Sequence, residues 1–360
     1  MNISELLAFT KQQGASDLHL STGIPPIIRL HGSLRRLKMN SLGKEELQKM
    51  LYVILSDEQR KRFENEMELD FSHSLEDGTR FRVNLFRQER GLGAAFRLIP
   101  SEVPTLSKLG MPAVLAELSL KEKGLILVTG PTGSGKSTTL AAMVNHVNEN
   151  KSAHLITVED PIEFVHTPKN CLVNQRELGE HTHSFSAALK SALREDPDVI
   201  LVGEMRDLET TSLAITAAET GHLVMATLHT NSAAKTLDRV IDIFPADARD
   251  QVRTMLSESI LAILAQALIP RRDGQGRVAA LELLIANTAV RNLIREGKTF
   301  QIPSIIQTSQ QLGMQTLDSH LKELVGKGII TKEEALKKAI DPKSFGELPD
   351  RPMMRRVNQG

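Results

Sequence analysis

Gly130-Pro131-Thr132-Gly133-Ser134-Gly135-Lys136-Ser137 decides the fold of this chain. It fits the phosphate-binding pattern G-x-x-x-x-G-K-[ST] without a mismatch. The apolar run Leu125-Ile126-Leu127-Val128 precedes it and reads as a buried parallel strand. Thr138–Val147 follows, with Leu140, Met143, Val144 and Val147 at helical spacing. Strand, glycine loop and helix are the order the motif requires. Glycines let backbone N–H groups turn inward around an anion, and the helix N-terminus adds partial positive charge. The loop residues and Thr138 are therefore the expected nucleotide contacts. Lys136 would reach the β- and γ-phosphates of ATP, and the Ser137 hydroxyl would hold Mg2+.

Outward from the loop, three more apolar runs alternate with helical patterns: Leu155–Val158, Val199–Val202 and Leu223–Leu228. This alternation predicts a mainly parallel, doubly wound α/β sheet. Open sheets of this kind bind ligands at the carboxyl ends of their strands, so acids placed there are candidates for chemistry. Glu159-Asp160-Pro161-Ile162-Glu163 follows the first run, and Gly203-Glu204 the second. Glu204 fits the acid that holds Mg2+ directly or through water. Glu159 and Asp160 could support the metal shell, and Glu163, farthest into its loop, could polarise the attacking water. His222 and His229 flank the third run and could sense the γ-phosphate. Cys171, His181 and His183 lack a fourth zinc ligand at usual spacing.

The first hundred residues have a different texture. Ile27-Ile28-Arg29-Leu30-His31-Gly32 and Arg80–Arg87 alternate polar with apolar, as antiparallel strands with one wet face do. Helical patterns near Ser4–Gln13 and Gly43–Leu55 complete a small α+β domain. Arg82, Arg87, Arg90 and Arg97 make it locally basic. The expected division is 1–100 for this domain, a proline-punctuated linker over 101–120, an ATPase core over 121–285, a helical region over 286–344 and a disordered tail over 345–360. Val252, Met255, Leu256, Ile260, Ile263 and Leu264 predict one striped helix. Arg271–Arg277 reads as a turn between strands Ala265–Ile269 and Val278–Leu284.

Composition narrows the function class. The chain has 360 residues, 41% of them apolar, ample for two cores. A single cysteine excludes an internal disulfide. With 44 basic and 44 acidic residues, 3% aromatics and no tryptophan, nucleic acid is a poor partner. Met1-Asn2-Ile3-Ser4-Glu5 lacks a basic signal region, and no apolar run approaches the ~18 residues of a membrane span, so a cytoplasmic location is expected.

Together the motifs resemble the secretion-superfamily ATPases, and within them the type IV pilus retraction ATPases, over essentially the whole length. The carrying residues are Ala15-Ser16-Asp17-Leu18-His19-Leu20, the phosphate loop, Thr157–Glu163, Gly203-Glu204-Met205-Arg206-Asp207, and Thr220-Gly221-His222 through Leu228-His229-Thr230. Ala289-Val290-Arg291-Asn292-Leu293-Ile294-Arg295-Glu296-Gly297-Lys298 is close to the A-I-R-N-L-I-R-E-G-K signature of retraction ATPases. The resemblance implies a homohexamer in which a PAS-like N-terminal domain packs across a RecA-like ATPase domain, with ATP at the junction. It makes Glu163 the catalytic base, Glu204 the Walker B acid, His222 and His229 histidine-box residues contacting the active site, and Arg82 and Arg97 arginines that close on the nucleotide. It further implies coupling to an inner-membrane platform protein at the cytoplasmic face and, through it, to the pilin fibre. An accessory paralogous retraction ATPase, as partner or as identity, and a nucleotide-gated scaffold are the alternative readings.

Overall fold

The computed structural model describes residues 2–30, 32–100 and 102–346. The chain divides between Glu102 and Val103 into two compact units.

In the first, α1 (Ile3–Gln12) is started by Asn2, whose side chain accepts from the Glu5 N–H while the Glu5 carboxylate accepts from Asn2. The strands are β1 (Asp17–Ser21), β2 (Ile27–Leu30) and β3 (Ser33–Arg36), then, after α2 (Lys44–Tyr52) and α3 (Asp57–Glu66), β4 (Glu68–Ser74), β5 (Arg80–Gln88) and β6 (Gly91–Leu98). β2 ends at Leu30; His31, included in the sequence reading of this strand, lies outside the described residues. All pair antiparallel in the order β3-β2-β1-β6-β5-β4. Alternate residues of β5 are buried, as Phe81, Val83 and Leu85 pack with Leu6, Leu18 and Phe96. α3 escapes the sequence patterns because Phe63 is its only buried residue. Its signal is the Ser56–Gln59 capping box.

The second unit opens with α4 (Val114–Ser119), β7 (Gly124–Thr129), α5 (Lys136–Asn150), β8 (His154–Glu159), β9 (Leu172–Glu177) and α6 (Phe185–Ala192). It continues through β10 (Val199–Val202), α7 (Leu208–Thr220), β11 (Leu223–Leu228), α8 (Ala233–Asp242), α9 (Arg249–Ser259), β12 (Ile260–Pro270) and β13 (Arg277–Ile285). Helices α10 (Thr288–Arg295), α11 (Ile302–Thr308), α12 (Leu317–Gly326) and α13 (Lys332–Leu336) follow. The sheet order is β13-β12-β7-β11-β10-β8-β9, parallel except for the hairpin partner β13. Every residue of β7, β10 and β11 is buried, because helices cover both faces of the sheet. Among the described residues no helix is long and apolar enough to cross a membrane.

Three expectations are corrected. The stripe running to Leu264 is not one helix: α9 stops at Ser259, and Ile260 adopts φ −62°, ψ 130° to open β12. In a strand buried on both faces every position is apolar, so a spacing of three and four carries no helical information. Residues expected in a linker belong to the second unit, where Leu106, Leu115 and Leu118 join the core beneath α5. Phe345, read as the start of a disordered tail, is fully buried with Leu321, Leu324 and Ile330 against Ile269 and Ala280. Burial of such a ring contributes roughly 1.5–3 kcal/mol. The rest of that tail, 347–360, lies outside the described residues.

Candidate nucleotide site

Parallel register brings the strand ends to one edge. Leu228 is level with Thr129, and Val202 with Val158 and Ala226, so the loops after β7, β8, β10 and β11 emerge together.

After Thr129 the chain turns sharply. Gly130 has φ 141°, and a Cβ there would lie 2.3 Å from the Gln266 carbonyl oxygen and 2.6 Å from the Ser134 hydroxyl. No side chain fits. Gly135, at φ 90°, precedes the first turn of α5, which begins at Lys136 and includes Ser137 and Thr138. Pro131 and Thr132 form the exposed crest of the loop, beside Gly133. The Ser134 hydroxyl is buried without a hydrogen-bond partner. An orphaned donor, a cradle that admits no Cβ and an open helix N-terminus suit a polyphosphate.

The Lys136 ammonium donates to the carbonyls of Gly130 at 3.0 Å and Pro131 at 3.3 Å, and lies 3.4 Å from His229 Nδ1. A lysine can only donate, so Nδ1 accepts and Nε2 carries the ring proton. Nε2 meets Glu204 Oε1 at 3.1 Å, while Arg206 holds Oε2 at 2.7 Å. Burial lowers the Lys136 pKa, opposed by the charges of Glu204 and Glu163. Burial also pushes Glu204 up, but Arg206 and His229 outweigh it and leave its carboxyl below the usual range.

Glu163 is exposed, and its N–H lies 3.5 Å from Glu159 Oε2. Glu159 Oε1 accepts from Thr157 at 2.7 Å and Gln175 at 3.3 Å. Burial raises the Glu159 pKa to about 7 in spite of these donors. The short chain after it is tied back by the Ile162 N–H, which donates to the buried Glu177 at 3.1 Å.

His222 does not belong to this site. It lies at the other end of β11, beside Gly124, with Nδ1 3.0 Å from the Ala217 carbonyl at the end of α7. The six residues of β11 separate it from His229, and seven steps of extended chain span about 23 Å. Arg82 and Arg97 are cross-strand neighbours in the first unit. Arg97 pairs with Asp17 at 2.9 Å, and Arg82 lies 3.8 Å from Asp70. Burial pushes Asp17 up, but hydrogen bonds from Ser16 and Arg97 hold its carboxyl below the usual range. Among the described residues no group of three or more His, Cys, Asp or Glu could hold a metal ion. Several polar residues of the site had no role assigned from sequence, among them Arg206, visible only as part of Gly203–Asp207, Gln175 and Glu177 of β9, and Gln266, an amide within an apolar run.

Comparison with known proteins shows what the chain as a whole is similar to. The chain is 58% identical over 345 residues to the type IV pilus retraction ATPase PilT of Pseudomonas aeruginosa, covering 96% of this chain and all of that one. It is 41% identical to the type IV pilus ATPase PilU of the same organism, covering 93% and 88%. A crystal structure of the pilus retraction motor PilT with bound ADP superposes with a TM-score of 0.90 at 49% identity, covering 96% of this chain and 98% of that one. Residues 4–337 match the model of the type II/IV secretion system proteins, and the chain belongs to that family.

Proposed function

We propose that this chain is an ATP-hydrolysing motor that powers type IV pilus retraction. The observation that carries the reading is the line Lys136–His229–Glu204, which joins the phosphate loop after β7, across the end of β11, to an acid just after β10.

In this reading the loop N–H groups and the first turn of α5, with Ser137 and Thr138, bind the β- and γ-phosphates. Lys136 exchanges two carbonyl partners for phosphate oxygens; a charge-assisted hydrogen bond contributes about 1.5–3 kcal/mol. Mg2+, when bound, neutralises phosphate charge. Ser137 and Glu204 are the residues that would hold it, with Glu159 as support. Glu163, exposed and free to face water, orients the attacking molecule and takes its proton. His229 links the lysine that touches the terminal phosphate to the acid of the metal shell. Arg82 and Arg97 are the N-terminal residues proposed to respond to nucleotide charge.

The assembly that fits this activity is a homohexamer of PAS-like and RecA-like domains with a helical C-terminal region. It works in the cytoplasm, at the inner membrane when docked on the platform protein, and extracts pilin from the fibre base. The end-to-end likeness to a retraction ATPase supports this above an accessory role beside a paralogous motor.

The test is steady-state phosphate release by the purified protein with Mg2+ and ATP, joined to expression of this chain alone in cells lacking retraction ATPases. Turnover together with restored twitching is expected. Binding without turnover would make it a nucleotide-gated scaffold; turnover without restored twitching would make it an accessory subunit.

A further inference from the structure

We infer that Gln266 is a positioning residue of the nucleotide site, fixing which way the phosphate loop points its N–H groups. The inference rests on reading that loop as the nucleotide site.

Gln266 interrupts an otherwise apolar strand, Ile260–Pro270. β12 runs parallel to β7 with Ala265 level with Thr129, so Gln266 stands beside Gly130, where the loop begins. It is 4% exposed. A buried amide is costly unless hydrogen-bonded, and both ends of this one are engaged. Nε2 donates to the Ser134 carbonyl at 2.6 Å, and Oε1 accepts from the Thr139 hydroxyl, itself buried, at 3.0 Å. One side chain therefore grips the middle of the loop and the helix just beyond it, while its own backbone carbonyl forbids any side chain at Gly130.

The consequence follows from peptide geometry. In a planar trans peptide the C=O and the following N–H point in opposite directions. Holding the Ser134 carbonyl against Gln266 turns the Gly135 N–H away from the sheet, to the side on which an anion would lie. Gly135, at φ 90°, has no Cβ to oppose a flip of this peptide, so the constraint must come from outside the loop. Gln266 supplies it without touching the phosphates.

Gln266→Leu keeps the volume and removes both hydrogen bonds. In the full-length protein, the Kd for a fluorescent ADP analogue and the KM for ATP should rise about tenfold, with kcat changed less than about threefold, because binding and not the chemical step is lost. Thr139→Val should raise Kd by a smaller factor, and combining it with Gln266→Leu should add nothing, since both break one network. Gln266→Glu, which sets a carboxylate oxygen against the Ser134 carbonyl, should also weaken binding, and with Thr139→Val it keeps the test open if Gln266→Leu fails to fold. A lower melting temperature with unchanged Kd and KM, or a fall in kcat alone, would assign Gln266 to packing and overturn the inference. Wild-type protein that binds no ADP analogue, or binds it equally after Lys136→Ala, would instead remove the nucleotide reading of the loop.

Discussion

Glu163 and Glu159 are four residues apart and differ in what surrounds them. Glu159 is hemmed in by Thr157 and Gln175, whereas Glu163 is open to solvent. A general base must reach water, and this exposure is what supports proposing Glu163 for that role. Glu163→Gln should retain ATP binding and cut turnover by about 10²-fold or more, the usual scale of general-base catalysis. Near-normal phosphate release would move the role elsewhere. A second prediction concerns His166, whose ring Nδ1 is buried without a partner and whose pKa is lowered by burial to about 4. Between that value and the unfolded value of about 6.5 the unfolded chain binds more protons, so stability falls as pH falls through this window, by up to about 3 kcal/mol. Urea unfolding at pH 7 and pH 4.5 should show the loss, and His166→Leu should flatten it; an equal slope in the variant would assign it to other groups. Much of the site was legible at this scale. The phosphate loop is a contiguous pattern, and Glu204 and His229 each close an apolar run. Gln266 was hidden because its meaning depends on a strand 130 residues downstream lying beside the loop. His222 was misplaced because a histidine before a strand and one after it look alike in sequence, although the strand separates them.

At the scale of elements, the junction between α9 and β12 shows what periodicity misses. The last-turn carbonyls of α9 are capped from α10: the Arg291 guanidinium donates to those of Ser257 at 2.5 Å and Glu258 at 2.7 Å. Burial lowers the Arg291 pKa, with Glu258 opposing the shift. The signature Ala289–Lys298 thus has a structural use: it fixes where a helix stops and the strand bearing Gln266 begins. Arg291→Ala should cost about 1–3 kcal/mol in unfolding free energy, the range for hydrogen bonds to a charged group and the carbonyls they leave behind. Unchanged melting would show that water replaces the guanidinium freely. The alternating β-sheet was readable where buried and exposed residues alternate, as in β5. β9 was not, because its sequence Leu-Val-Asn-Gln-Arg-Glu at the sheet edge leaves Glu177 as its one buried residue. Nor was the helix α3, recognisable by its cap and not by an apolar stripe.

For the whole molecule, the parallel sheet followed from alternating strand and helix patterns, while the docking of Phe345 and of residues 103–120 onto the core required the third dimension. Two compact units in one chain, one carrying the phosphate loop and one carrying Arg82 and Arg97, suit a machine that converts hydrolysis into movement. The direction of that movement is the central claim. It is tested most directly by counting and measuring surface pili by electron microscopy in cells deleted for this gene alone. The account predicts more and longer pili with no twitching; cells without pili would contradict it and make this chain a motor for assembly.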